Sequence, residues 1–174
     1  MANIITVDGK APLIHPESFL ALSADIIGDV TLAESVSIWN NTTIRADVNY
    51  VRIGKFTNVQ DNSIIHVDTQ GRSYPNVGPT LIGEYVTIGH GAIIHACTLE
   101  DACLIGMGAI ILDGALIGKG SIIGAGAVVT PNSIIPPYSL VMGVPGKVVK
   151  TLSEESLSQR LEHAKHYWEL TNKY

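Results

Sequence analysis

An aliphatic residue returns at six-residue spacing along most of this 174-residue chain, often with a glycine behind it, as in Ile82-Gly83, Ile88-Gly89, Ile105-Gly106, Ile117-Gly118 and Ile123-Gly124. The series runs Ile82, Ile88, Ile94, Leu99, Ile105, Ile111, Ile117, Ile123, Val129, Ile135, Val141, with one step (94 to 99) short by a residue. Upstream it reads Ile27, Ala33, Trp39, Arg45, Ile53, Val59, Ile65, with two extra residues between 45 and 53. A period of six fits neither a 3.6-residue helix nor a plain alternating strand. It fits a short strand plus a corner. Such a unit buries nothing alone, so the units must coil and stack their apolar residues inward. Three of them make a coil of about 18 residues, and coils stack at the ~4.8 Å strand spacing. Composition agrees: Ile (22) outnumbers Leu (14), Val is 15, Gly is 17 and Phe only 2, which argues against a helical bundle. Glycine suits the corners.

The fold class expected is therefore an all-β solenoid. Residues 9–146 supply 138 positions, and setting aside a loop of about eleven residues leaves about seven coils. We read residues 1–150 as the solenoid, with a loop excursion near 68–81, and residues 151–174 as a C-terminal amphipathic helix packed on it. Leu157, Leu161, Ala164 and Trp168 recur at helical spacing, Glu154 and Glu155 suit a first turn, and Thr151 or Ser153 is the expected N-cap. The helix is also expected to cover exposed strand edges.

Charge narrows the function. Eleven Lys+Arg against 16 Asp+Glu give a net charge of −5, which argues against nucleic acid or an acidic membrane surface, both of which call for a basic patch. Residues 120–146 carry no charge, but Thr130, Pro131, Asn132, Pro136, Pro137 and Pro145 interrupt them short of the ~20 apolar residues a membrane span needs. The N-terminus lacks the basic and apolar regions of a secretory signal. Cys97 and Cys103 form no CxxC pair and read as small buried side chains, so a cytoplasmic location is expected.

Among six histidines, His15, His163 and His166 read as surface residues. His66, His90 and His95 do not. If residues 71–81 loop out, His66 and His95 follow the first residue of the same face on successive coils and stand side by side. His90 falls on another face, so it can join them only from a neighbouring molecule, and a ring of such contacts closes as a trimer. Three neutral imidazoles with a position left for water make a catalytic rather than a structural metal arrangement. By the same arithmetic Arg45, with Asp47 two residues on, precedes His66 by one coil, and Asp61 precedes His90. Arg45 and Asp61 should then meet across that interface as a charge-assisted pair. Asn58, at the preceding corner, is placed to orient Gln60.

Ile-Arg-Ala-Asp (44–47), Asn-Val-Gln-Asp (58–61), His66 and Ile-Gly-His-Gly-Ala-Ile-Ile-His (88–95) together resemble the gamma-class carbonic anhydrases, over nearly the whole chain. These belong to the hexapeptide-repeat superfamily, whose fold is a left-handed parallel β-helix. The resemblance implies a homotrimer with Zn2+ or Fe2+ at each of three interfaces, bound by His66 and His95 of one subunit and His90 of the next. It implies that Gln60, with Asn58 nearby, positions the metal-bound water, that Arg45 pairs with Asp61 between subunits, and that Asp47 buttresses Arg45. The reaction implied is reversible hydration of carbon dioxide to bicarbonate by metal-bound hydroxide. The chain departs from the pattern twice, with Val48 and Thr69 where founding members carry glutamates, the second of them a proton shuttle. Asp68, Tyr74 and Glu84 are the substitutes at hand. A metal-binding trimer with little catalysis is the alternative these departures raise. A CoA-dependent acyltransferase is a further one, raised by Gly143-Val144-Pro145-Gly146-Lys147 and Gly124-Ala125-Gly126, although it needs no metal-spaced histidines.

Overall fold

A computed structural model of the chain describes residues 1–72 and 78–174. The chain winds as a left-handed parallel β-helix of about seven turns and ends in one α-helix, α1 (Leu157–Leu170). Three inward ladders fill it. Ile26, Ile44, Ile65, Ile94, Ile111 and Val129 pair in sequence on one face. Leu32, Ile53, Ile82, Leu99, Ile117 and Ile135 do so on the second, and Val59, Ile88, Ile105, Ile123 and Val141 on the third. Nearly all of these side chains are fully buried. Each burial stabilises the coil by about 1.5–3 kcal/mol, and β-branched side chains pack well between pleated neighbours.

The downstream half of the ladder is the one the six-residue series gives. Upstream the register differs by one residue: Ile26, Leu32, Ile38 and Ile44 point inward, while Arg45 is exposed. Each inward residue there is followed by Ile27, Ala33, Trp39 or Arg45, and three of those four are apolar too, so period alone cannot choose between the two columns. The step from Ile44 to Ile53 accordingly holds three extra residues rather than two. The long strand Thr43–Ile53 absorbs them as it turns a corner, pairing Ile44 with Ile26 and Ile53 with Leu32. Opposite the irregularity, Gly28 has φ +79° and a Cβ placed on it would lie 2.2 Å from the Ala46 carbonyl oxygen. Later, Ile65 pairs with Ile94 and Ile53 with Ile82, partners 29 positions apart, so the excursion between strands Ile64–His66 and Thr80–Ile82 leaves both ladders in register.

At the C-terminal end the chain makes an antiparallel strand, Lys147–Thr151, against Ser139–Met142. Thr151 thus ends a strand rather than capping a helix, and this strand covers the edge of Ser139–Met142. A 3-10 turn (Glu154–Ser156) follows, with no side-chain cap from Ser153, and then α1 begins. The helix lies on a sheet face, against strands Asn58–Val59 and Thr87–Ile88, with Arg160 and Ala164 buried beneath it. Trp39 packs edge-on against Tyr167 and Tyr174, with centroids 6.0 and 5.4 Å away, and holds its far end. No helix among the described residues is long and apolar enough to cross a membrane.

Gly28 gives a stability test. Gly9→Ala meets open space at φ +77° and should cost about 1 kcal/mol through the left-handed conformation alone. Gly28→Ala should cost a further ~1–3 kcal/mol from backbone crowding. Denaturant midpoints measure both, and equal losses would mean that the close approach to Ala46 carries no energy.

Candidate metal centre

Buried Ile44, Ile65 and Ile94 are each followed by an outward residue, because side chains alternate along a strand. Those residues are Arg45, His66 and His95, and they pair coil upon coil. The two imidazoles stand with ring centroids 5.1 Å apart, His66 Nδ1 facing His95 Nε2 at 3.1 Å. Carboxylates hold their other nitrogens. Asp47 Oδ1 lies 3.1 Å from His66 Nε2, and its Oδ2 accepts from Arg45. Asp113 Oδ1 bonds His95 Nδ1. A carboxylate on the far nitrogen is the usual support of a metal-bound histidine, fixing tautomer and ring orientation. Two imidazole nitrogens on one tetrahedral zinc, at 2.0–2.1 Å each, stand about 3.3 Å apart. The facing pair fits that donor geometry.

Electrostatics favour the ligand form. Burial lowers the His66 pKa, and the charges of Arg45 and His95 lower it further, against the opposing hydrogen bond to Asp47. For Asp47, burial pushes the carboxyl up, but hydrogen bonds from His66 and Arg45 outweigh it and the net shift is downward. His66 is thus neutral and Asp47 ionised at neutral pH.

His90 lies elsewhere, at the corner after Thr87–Ile88 on the other sheet, exposed, with Nδ1 2.9 Å from Asp61 Oδ2. Near it, Gln60 and Asn58 are buried; Gln60 Nε2 donates to Asn58 Oδ1 (3.2 Å) and Asn58 Nδ2 to Thr87 Oγ1 (3.0 Å). Gln60 and His90 line a groove of about 400 Å3 with Leu104, Met107, His163 and Tyr167. Two clusters therefore sit on different sheets. Among the described residues, no group of three or more His, Cys, Asp or Glu within one chain converges on a metal position. Arg45 and Asp61 are likewise apart within the chain, each with its own ion-pair partner, Asp47 and His90.

Other expected residues are spread out. Val48 is exposed, and the Thr69 amide donates to Asp68 Oδ1 (2.8 Å). Glu84 faces Lys55 at 3.7 Å, and Tyr74 lies outside the described residues. Cys97 and Cys103 are free and buried, and burial pushes the Cys103 thiol up to about 12. The sequence reading missed Asp113, although a signal was there: it stands one position past the residue that follows Ile111, the partner of Ile94 one coil on. His163 is exposed, as expected, and its Nδ1 also lies 3.2 Å from Thr87 Oγ1 at the helix–sheet seam.

A β-helix of hexapeptide coils that stacks two carboxylate-backed histidines on one face and sets a third on another defines a member of the hexapeptide-repeat class. Residues 96–131 match the family described as Bacterial transferase hexapeptide (six repeats). A probable carbonic anhydrase of Methanocaldococcus jannaschii is 51% identical over 152 residues, covering 87% of this chain and 91% of that protein. The mitochondrial gamma carbonic anhydrase 1 of Arabidopsis thaliana is 48% identical over 105 residues, 60% of this chain and only 38% of that longer protein. A hexapeptide transferase family protein from Anaplasma phagocytophilum superposes with TM-score 0.89 at 34% identity, covering 99% of this chain and 98% of the other. The chain belongs to the gamma carbonic anhydrase family of hexapeptide-repeat proteins.

The pKa shifts predict a pH profile for the metal-free protein. Below pH 6.5 the unfolded His66 binds a proton that the folded one resists, so stability should fall as pH drops below 6.5. Asp47 should add a second loss as pH falls below 3.8. Denaturation across that range measures this, and His66→Asn should flatten the upper part of the curve.

Proposed function

We propose that this chain is a metal-dependent carbonate dehydratase, active as a homotrimer. His66 and His95 of one subunit and His90 of the next hold Zn2+ or Fe2+, and free, buried cysteines suit a cytoplasmic location. The observation that carries the reading is the facing pair of His66 and His95 nitrogens, each ring backed by its own carboxylate. Family membership and the carbonic anhydrase names of its relatives support it.

Such an ion, when bound, supplies Lewis acidity that makes water a nucleophile near neutral pH. The chain's own residues do the rest. Asp47 and Asp113 fix the tautomers of His66 and His95 so that one nitrogen of each is left for the metal. Gln60, held by Asn58, presents an amide to the water and to the substrate oxygens beside it. Arg45 reaches Asp61 of the adjoining subunit, with Asp47 keeping its guanidinium extended, and so ties the two halves of the site together. The proton released in each turnover needs a carrier. With Thr69 at the family's glutamate position, Asp68 beside it takes that role, ahead of Glu84, whose carboxylate faces Lys55. Val48 and Thr69 also favour a second reading, a metal-binding trimer with little catalysis.

Stopped-flow carbon dioxide hydration on anaerobically purified protein, with metal content and mass in solution measured, separates the two. We expect a trimer with about one metal per interface, a rate that scales with bound metal, and loss of both metal and rate in His95→Ala. A metal-loaded trimer without a rate above buffer would leave only the binding role. Asp113→Asn should weaken metal affinity by about 10- to 100-fold, read by competition with a chelator.

A further inference from the structure

The amide of Gln60 ends a row of hydrogen bonds that runs along the groove wall to the helix–sheet seam. Gln60 Nε2 meets Asn58 Oδ1 at 3.2 Å, Asn58 Nδ2 meets Thr87 Oγ1 at 3.0 Å, and Thr87 Oγ1 meets His163 Nδ1 at 3.2 Å. The three inner members are 4%, 0% and 4% exposed, and each has the hydrogen-bond partner that a buried polar group needs. Only His163, on α1, is exposed. The proposed mechanism gives it no task.

A row of this kind has a direction. If His163 Nδ1 carries no proton, it accepts from the Thr87 hydroxyl, Thr87 accepts from Asn58, and Asn58 accepts from Gln60. Every donor then points outward, and Gln60 is left with its acceptor, Oε1, for the groove. If Nδ1 carries a proton, Thr87 must accept at that end and can donate inward instead. Both amides then turn over, and Gln60 shows the groove its NH2. An acceptor and a donor do opposite things to water and to a carboxylate-like oxygen.

We propose that His163 is a positioning residue: through Thr87 and Asn58 it sets which end of the Gln60 amide faces the reacting groups. The inference rests on the placement of Gln60 at the site but not on the site being catalytic. In the neutral state with the proton on Nε2, the row holds Oε1 toward the groove. Both partial burial and neighbouring His166 favour the neutral form. The charged and titratable groups around His163 are His166 and Tyr167 on its own helix, the latter with its ring 5.2 Å away, and His90 across the groove with its ion-pair partner Asp61. Lys165 on the same helix is turned toward Tyr85.

The test is nuclear magnetic resonance on the metal-free protein, following the side-chain NH2 signals of Asn58 and Gln60 and the ring nitrogens of His163 from about pH 5 to about pH 8. The amide signals should move with the His163 midpoint. In Thr87→Val, His163 should still titrate while the amides stay still, and Thr87→Ser should restore the coupling. Amides that do not follow His163, that follow it equally in Thr87→Val, or that move with an unchanged midpoint in His163→Ala would overturn the inference. On metal-loaded protein, Thr87→Val and His163→Ala should lower kcat about 10- to 100-fold with KM nearly unchanged, and Thr87→Ser should recover most of it. Coupled amides in a protein that hydrates no carbon dioxide would retain this inference and remove the carbonate dehydratase reading.

Discussion

Parallel coils spaced about 4.8 Å apart give an outward side chain no freedom in choosing its neighbours. Once Ile44, Ile65 and Ile94 are locked inside, Arg45, His66 and His95 must stack outside, at a separation set by backbone hydrogen bonds. The buried ladders supply the energy and the outer column inherits their register. Two imidazoles would not choose to face one another at 3.1 Å; the core beneath them leaves little alternative, and Asp47 and Asp113 make the position tolerable. Preorganisation here is a by-product of packing rather than a separate design.

The same rigidity explains why each sheet carries half of the proposed site. A triangular coil points its three faces away from one another, so groups on two faces of one molecule cannot converge. They converge only when one molecule's face meets another's, and the proposed trimer follows from that geometry as much as from the donors. Arg45 and Asp61 illustrate the point: within one chain each settles on a local partner, Asp47 or His90, that an approaching subunit can share.

Much of this was legible in the sequence. Downstream of Ile82 the six-residue period alone marked the inward column, because glycine or a polar residue usually followed each aliphatic one. Upstream it failed by a residue, since Ile26-Ile27 and Leu32-Ala33 are apolar doublets and Ile38-Trp39 offers a second large side chain. Arg45 held the answer, because an unpaired guanidinium does not enter a core. Coil arithmetic placed His66 beside His95 and His90 on another face, as the structure has them, and Asp113 was within the same reach. The seat of His163 was not. Its contact depends on where α1 settles against the sheet, which is fixed by Trp39, Tyr167 and Tyr174 meeting across distant parts of the chain. No periodicity encodes that.

The excursion between Ile64–His66 and Thr80–Ile82 has a consequence of its own. It leaves at a corner and returns with both adjoining ladders in step, so its length is decoupled from the stacking energy. Doubling such an insertion costs only ~0.6 kcal/mol of closure entropy, while a one-residue slip inside a ladder would evert a whole face. A chain built this way carries a rewritable segment immediately beside its histidine pair. New reach, charge or selectivity can be tried there while the scaffold that spaces the imidazoles stays the same.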